Sequence, residues 1–447
     1  MPIREVKGAF DLLSLHRRNP SRYPHLLESA AHGEPLGRFD ILFAFPGETL
    51  NMDHVHAVTG PHAGNRFLPS LQRWMDAERA PAPAEAAHLP FQGGWFVFLS
   101  YELAGEIERK LALFPDPRWP IALATRFPAA VIKDHRDGSI VLVSEDASLL
   151  EQMTADIDAV DAMPEAPQVA VSVPLEEDSQ RYETMVGRVV RYIMDGDVFQ
   201  ANVSRPWTAA VSPQTPHWAV YAKLRRANPA PFAALVSWGE QAIISSSPER
   251  LVEIRGECVQ TRPIAGTRPR GADPEKDREL LEELIAHPKE RAEHIMLIDL
   301  ERNDLGRIAV PGSVEVNELM AIESYTHVHH IVSNVRAICR PEVTATDVIA
   351  AVFPGGTITG CPKVRCMEII AELEQSARTA YTGSLGYMNR DGSGDLNILI
   401  RTLMRDGDRI LFRAGAGIVA DSIPEREVEE TRAKARGMLL ALTGEPA

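Results

Sequence analysis

The chain has 447 residues, 45% hydrophobic and 24% charged, the balance of an ordinary globular protein with enough length for up to about three domains. Its net charge of -15 argues against a nucleic-acid or anionic-membrane partner, since either needs a basic surface. Four scattered cysteines (Cys258, Cys339, Cys361, Cys366) without a Cys-x-x-Cys pair point to neither a disulfide framework nor a structural zinc site. The first residues lack the apolar core of a signal peptide, and no apolar run approaches the ~18 residues of a membrane span, so a cytoplasmic location is expected.

Taken in order, residues 23–30 read by composition as a turn or short helix, and residues 37–44 alternate like a strand. Residues 91–102 and 138–144 read as further strands, the first too apolar on both faces to be exposed. Residues 164–180 mix proline, acids and short polar residues, a linker between an N-terminal region (1–165) and a C-terminal one (178–445). Tyr182, Met185, Val186, Val189, Val190 and Ile193 mark one face of a helix that ends at Asp195-Gly196. Gln200 lies in the Asp197–Arg205 stretch that follows. From residue 232 to 262 short polar turns at Gly239-Glu240 and Gly256-Glu257 join strands, which predicts antiparallel sheet. Ser245-Ser-Ser-Pro-Glu-Arg250 lies inside this region.

Glu290 and Glu293 are three apart in a helical stretch, as are Glu427 and Glu430, so each pair shares a helix face. Such pairs are most often solvated surface, but four carboxylates converging from two helices would suit Mg²⁺. His327-Val-His-His330 invites a zinc reading, yet alternation along a strand sends His330 away from His327 and His329. Phe353-Pro-Gly-Gly-Thr-Ile-Thr-Gly-Cys-Pro-Lys363 is a Gly-rich turn running into a helix, with Pro362 expected at the first helical position. Unpaired N–H groups and the helix dipole would make that turn an anion seat. Cys361-Pro362-Lys363 stands where a nucleotide P-loop needs Gly-Lys-Ser/Thr, so the anion is not a nucleotide's phosphate. Gly-containing turns at 390–395 and 405–408 separate the strands of a final meander.

Together these strings resemble the chorismate-utilising enzymes: anthranilate and aminodeoxychorismate synthase components I, and the isochorismate and salicylate synthases. The similarity covers most of the chain, most densely from Arg181 onward. It implies an α+β fold, two large and mostly antiparallel sheets packed as a sandwich with helices outside, the two regions interleaved in one globule. It implies a general acid at Glu249 to protonate the leaving 4-hydroxyl, a polar ring contact at His330, and Thr357 in the signature turn. Gly266, Thr267, Tyr381, Arg401, Gly415, Gly417 and Lys434 match substrate-binding positions; an arginine fork with bare N–H groups suits the enolpyruvyl carboxylate. The resemblance assigns Mg²⁺ to Glu290, Glu293, Glu427 and Glu430, where it would neutralise the ring carboxylate. Leu27, Glu28 and Ser29 match a pocket that holds tryptophan in anthranilate synthases.

Gln200 bears on the nucleophile. The water-using relatives carry a lysine base there, whereas an amide cannot take a proton from water but can hydrogen-bond ammonia. Ala265 stands where some aminodeoxychorismate synthases form a covalent adduct through lysine, so amination here would be direct. Gly355-Gly356-Thr357, Val328–Ser333 and Arg38-Phe-Asp-Ile41 favour aminodeoxychorismate synthase component I, which makes 4-amino-4-deoxychorismate for p-aminobenzoate and folate. Ala265 and Leu26-Leu-Glu-Ser29 favour the alternative, anthranilate synthase component I. Isochorismate synthase is opposed by Gln200, and a non-catalytic chorismate or tryptophan sensor by retention of Glu249, His330 and the four glutamates Glu290, Glu293, Glu427 and Glu430. No Gly-x-Cys-x-Gly elbow surrounds a cysteine, so a separate glutamine amidotransferase subunit is expected to supply ammonia.

Overall fold

The computed structural model describes residues 2–6, 8, 10–31, 36–160, 163–167, 169–271, 273–286, 288–324 and 328–444, without the side chains of residues 267, 269, 288, 289 and 328. Its frame is two large sheets, of 12 and 11 strands among the described residues, with eleven α-helices around them. The α+β sandwich expected from the sequence is therefore the fold.

Alternation along the strands builds the layers. Ile41 and Phe43 enter the core between the sheets with Phe96, Phe98 and Ile243, while Leu42 and Ala44 turn to a second core under the outer helices. In Gly94–Leu99 all six residues are buried, Phe96 and Phe98 on one face and Trp95, Val97 and Leu99 on the other. Burial on both faces explains the unbroken apolar run.

Both sheets mix early and late strands. In the first, His25–Glu28 pairs with Phe39–Ala44 on one side and Phe232–Trp238 on the other. Residues 23–30 are thus a strand core rather than the expected turn or helix, because distant partners supply the pairing that local composition cannot show. In the second sheet, Gly94–Leu99 pairs with Ser384–Asn389. The amphipathic helix is Ser179–Met194, and it buries Tyr182, Met185, Val186 and Val189. Pro362 caps the helix Lys363–Glu374 rather than beginning it. The preceding Gly360–Cys361 pairs with Gln200 and Ala201, which keeps the chain extended up to the proline.

Candidate active site

The site lies where the chain changes sheets. Gln241–Ser247 belongs to the first sheet and Arg250–Arg255 to the second, so Pro248-Glu249 is a crossover, not a turn between neighbours. Beside it the chain returns: Gly394–Asn397 lies in the second sheet, Thr402–Asp406 in the first, and residues 398–401 cross between them. Register holds on both sides, Ser245 opposite Thr402 and Arg250 opposite Asn397. Leaving a sheet strands backbone groups that need partners. Here the crossovers satisfy each other: Ile398 N donates to Glu249 O (2.9 Å), Ser246 N to Arg401 O (3.1 Å), and Ser247 Oγ to Ile398 O (2.5 Å). That is the physical use of the triple serine. Arg401 adopts φ 52°, a strained conformation for a side chain of its size and a frequent mark of functional sites.

Glu249, 5% exposed, accepts a 2.6 Å hydrogen bond from Thr357 Oγ1. Burial pushes its carboxyl up to about 7, against the opposing pull of the Thr357 bond and of the Arg401 and Lys434 charges. It is a carboxylic acid that holds its proton near neutrality. Thr357 is positioned by a 3₁₀ turn, Gly356–Ile358, and a side chain at Gly356 would collide with Leu300.

The Arg409–Ile418 strand joins the site through Lys434, whose charge acts on Glu249 and whose ammonium is tied to Gly415. Pairing with Thr402–Asp406 ends at Phe412, while Gln200–Ala210 follows it to Ile418, so Gly415 and Gly417 form an open edge. A Cβ on Gly415 would lie 2.7 Å from Tyr381 Oη, and one on Gly417 would overlap the Gln200 amide nitrogen. Only glycine lets these two side chains lie so close. Lys434 Nζ donates to Gly415 O (3.0 Å). Gln200 Oε1 and Asn202 Oδ1, two apart and therefore on one face of their strand, are buried without a hydrogen-bond partner among the described residues. Each is an acceptor awaiting a donor.

His330 is buried and donates to the Gly266 carbonyl; burial, with the Arg401 charge, lowers it to about 3, so it is neutral at physiological pH. His329 turns the other way, to Ser324 (2.7 Å) and Asp277 (3.0 Å). His327 and the Thr267 side chain lie outside the described residues.

The four glutamates are not gathered as the sequence suggested. Glu290 pairs with Arg268 (2.7 Å) and Glu430 with Lys434 (2.8 Å), while Glu293 and Glu427 are half-buried. Among the described residues no three of His, Cys, Asp and Glu are grouped to hold a metal. The chain's own cations pair with Glu290 and Glu430. The anion facing the first turn of the Lys363 helix is likewise internal: Lys363 Nζ holds Asp304 (2.5 Å).

A family profile described as chorismate binding enzyme matches residues 32–440. The chain belongs to the chorismate-binding enzyme family. It is 44% identical over 367 residues to an aminodeoxychorismate synthase component 1 from Bacillus subtilis (79% of this chain, 77% of that one). It is 39% identical over 428 residues to an anthranilate synthase component 1 from Thermus thermophilus (93% and 91%). The crystal structure of anthranilate synthase component I from Streptococcus pneumoniae shares the fold with a TM-score of 0.78 at 30% identity, covering 91% of this chain and 93% of that one. A menaquinone-specific isochorismate synthase from Escherichia coli, at 19% identity and TM-score 0.74 over 99% and 95% of the two chains, shows the same fold.

In this member of the family Leu27, Glu28 and Ser29 line one cavity of about 690 Å³ with Arg38, Arg250 and Tyr387. Glu28 is taken up by Tyr221 (2.5 Å) and Arg225 (2.8 Å), and Ser29 N donates to Asp40 (2.8 Å).

Sequence reasoning missed the support behind Tyr381 and Gln200. Glu374 accepts from Arg378 (2.6 Å), Arg413 (2.9 Å) and Ser204 N (2.8 Å), all buried. Arg378 also donates to Asn202 O (2.7 Å) and lies over the Tyr101 and Tyr381 rings. The i,i+4 spacing of Glu374 and Arg378 was the one available signal; Arg413 had none.

Proposed function

We propose that the chain replaces the 4-hydroxyl of chorismate by an amine from ammonia, giving 4-amino-4-deoxychorismate and water, as an aminodeoxychorismate synthase component I. The observation that carries the reading is the pair of buried, unpartnered acceptors, Gln200 Oε1 and Asn202 Oδ1, on one face of their strand. An unmet buried acceptor costs about 1–3 kcal/mol, so the site favours a ligand that brings N–H donors. Ammonia gives hydrogens to both amides and keeps its lone pair free. Water would have to surrender a proton, and neither amide is a base.

Arg401 and Tyr381, at the open glycine edge, would hold the enolpyruvyl carboxylate, with Lys434 fixing the edge through Gly415. Glu249 would give its proton to the departing hydroxyl, and Thr357 aims that carboxyl. Neutral His330, tied to Gly266, would contact the ring. Ala265 offers no nucleophile, so ammonia would attack the ring directly. Magnesium, expected from the resemblance, would need Arg268 and Lys434 to release their carboxylates, and no step here depends on it. Tryptophan in the Leu27–Glu28–Ser29 cavity remains a proposal from the same resemblance.

The anthranilate reading is favoured by Ala265 and by relatives of that name at similar identity. The deciding experiment incubates the pure chain with chorismate and ammonium and identifies products by mass spectrometry. An amine that retains the enolpyruvyl group supports the proposal; anthranilate with pyruvate overturns it. A Gln200→Lys variant should shift product toward a hydroxylated, water-derived ring, and no such product would remove the role given to Gln200.

A further inference from the structure

The strand Gly94–Leu99 runs into a 3₁₀ turn, Tyr101–Leu103, and the carboxyl of Glu102 in that turn is 3% exposed and has no part in the chemistry described above. Burial raises it from its ordinary range, and two backbone bonds oppose the shift: Arg378 N (2.8 Å) and Thr379 N (3.2 Å) both donate to Glu102 Oε1. Tyr101 N donates to Thr379 O (2.9 Å), so the N–H and C=O of Thr379 are both held by this one turn. The Arg378 guanidinium lies 4.9 Å over the Tyr101 ring. The loop held in this way, residues 375–383, is one the chain would not adopt alone. Gln375, Thr379 and Thr382 take φ of 48°, 52° and 61°, and in a β-branched threonine that is strain which persists only where the surroundings fix it. Tyr381 sits between the two threonines. Its N donates to Arg378 O (3.0 Å), and Thr382 N reaches Leu399 O in the crossover (2.7 Å). The Tyr381 hydroxyl thereby arrives at Gly415.

We propose that Glu102 is a positioning residue for chorismate: by holding the backbone of Arg378 and Thr379 it sets where the Tyr381 hydroxyl meets the substrate carboxylate. The inference rests on the reading of Tyr381 as a carboxylate contact. Glu374 fixes the Arg378 side chain and Glu102 fixes the Arg378 backbone, so the two are separate constraints on one loop. Without Glu102 two buried N–H groups lose their acceptor and strained Thr379 loses what holds it, so the loop relaxes and the hydroxyl withdraws. The enolpyruvyl carboxylate is not the centre at which the hydroxyl is displaced, so it is bound alike before and during that step. A loss at this contact weakens substrate binding and leaves turnover alone, which is a raised KM at unchanged kcat.

The test follows chorismate consumption by the full chain with ammonium chloride, which counts turnover whichever amine is formed. Glu102→Ala, Glu102→Gln and Tyr381→Phe are made, Glu102→Ala also in the Tyr381→Phe background, and circular dichroism checks folding. Glu102→Ala should raise KM for chorismate about tenfold or more with kcat within about threefold. Glu102→Gln keeps an oxygen for both N–H groups and should stay within about threefold of the native KM. In the Tyr381→Phe background Glu102→Ala should add less than about twofold, because the hydroxyl it positions is gone. A native KM in Glu102→Ala overturns the proposal. So does a folded Glu102→Ala that loses kcat instead, or an effect that multiplies with that of Tyr381→Phe. If Glu102→Ala does not fold, Glu102→Asp, one carbon shorter, takes its place and must show the same rise in KM. A native KM in Tyr381→Phe removes the reading of Tyr381 itself. A raised KM there beside a native one in Glu102→Ala removes the positioning role alone.

Discussion

The two walls of the site are built differently. The crossover wall carries Glu249 and Arg401 on backbone that is hydrogen-bonded to itself, and the buried Glu374–Arg378–Arg413 cluster holds the Tyr381 and Gln200 side of the site just as firmly. The wall proposed to carry the carboxylates has Glu290 and Glu430 on helices, and they are held by side-chain pairs with Arg268 and Lys434, of which the Lys434–Glu430 pair is well exposed. Backbone bonds fix a group before substrate arrives, whereas an exposed ion pair is worth ~1 kcal/mol or less and can be exchanged. Shape and proton supply are therefore built into one wall, and charge balance is left adjustable on the other.

The comparison can be broken most severely at Glu249. Glu249→Gln keeps shape and hydrogen bonding but removes the proton, so amination should fall about 10²–10⁴-fold with unchanged circular dichroism. A near-normal rate would remove the acid from the mechanism. Next comes the support. Arg378→Ala leaves the Glu374 carboxylate with one arginine instead of two, and urea denaturation should show a loss of about 3–5 kcal/mol. A loss below about 1 kcal/mol would make the cluster incidental to the wall.

The pH profile sharpens the same contrast. Because the Glu249 carboxyl is raised to about 7, the rate referred to free ammonia should fall tenfold per unit above that pH. The limb should vanish in Glu249→Gln. Sign follows from linkage: a raised acid favours folding fully below its ordinary range and loses that contribution as pH rises through about 7, so Glu249→Gln should gain stability relative to the native chain over that interval. Coincident stability curves would mean that the carboxyl titrates normally. The smallest effect is expected on the adjustable wall. Arg268→Ala frees Glu290, and calorimetric titration with Mg²⁺ should show binding tightened several-fold, with little change in melting temperature. Unchanged or weaker cation binding would show that Arg268 does not compete there.

The residues that can do chemistry were legible in the sequence because each sits in a short local string: Glu249 after three serines, Thr357 in the glycine turn, Gln200 and Arg401 in theirs. Their meeting place was not. Ser245–Arg250 lies inside a run of predicted antiparallel strands, and only the pairing of distant segments makes it a passage between sheets. Residues 23–30 were misread for the same reason, since their strand exists through partners near residues 40 and 235. The glutamate quartet was legible only as spacing. Helical spacing places carboxylates on a face, but it cannot say that Arg268 and Lys434 reach them first.

The crossovers carry a consequence for how the protein matures. Glu249 cannot reach Arg401 until strands from both sheets, joining residues as far apart as 28 and 233 or 97 and 386, have paired. Such non-local closure is slow and comes late in folding. A ligand of this site can therefore stabilise only molecules that have completed both sheets.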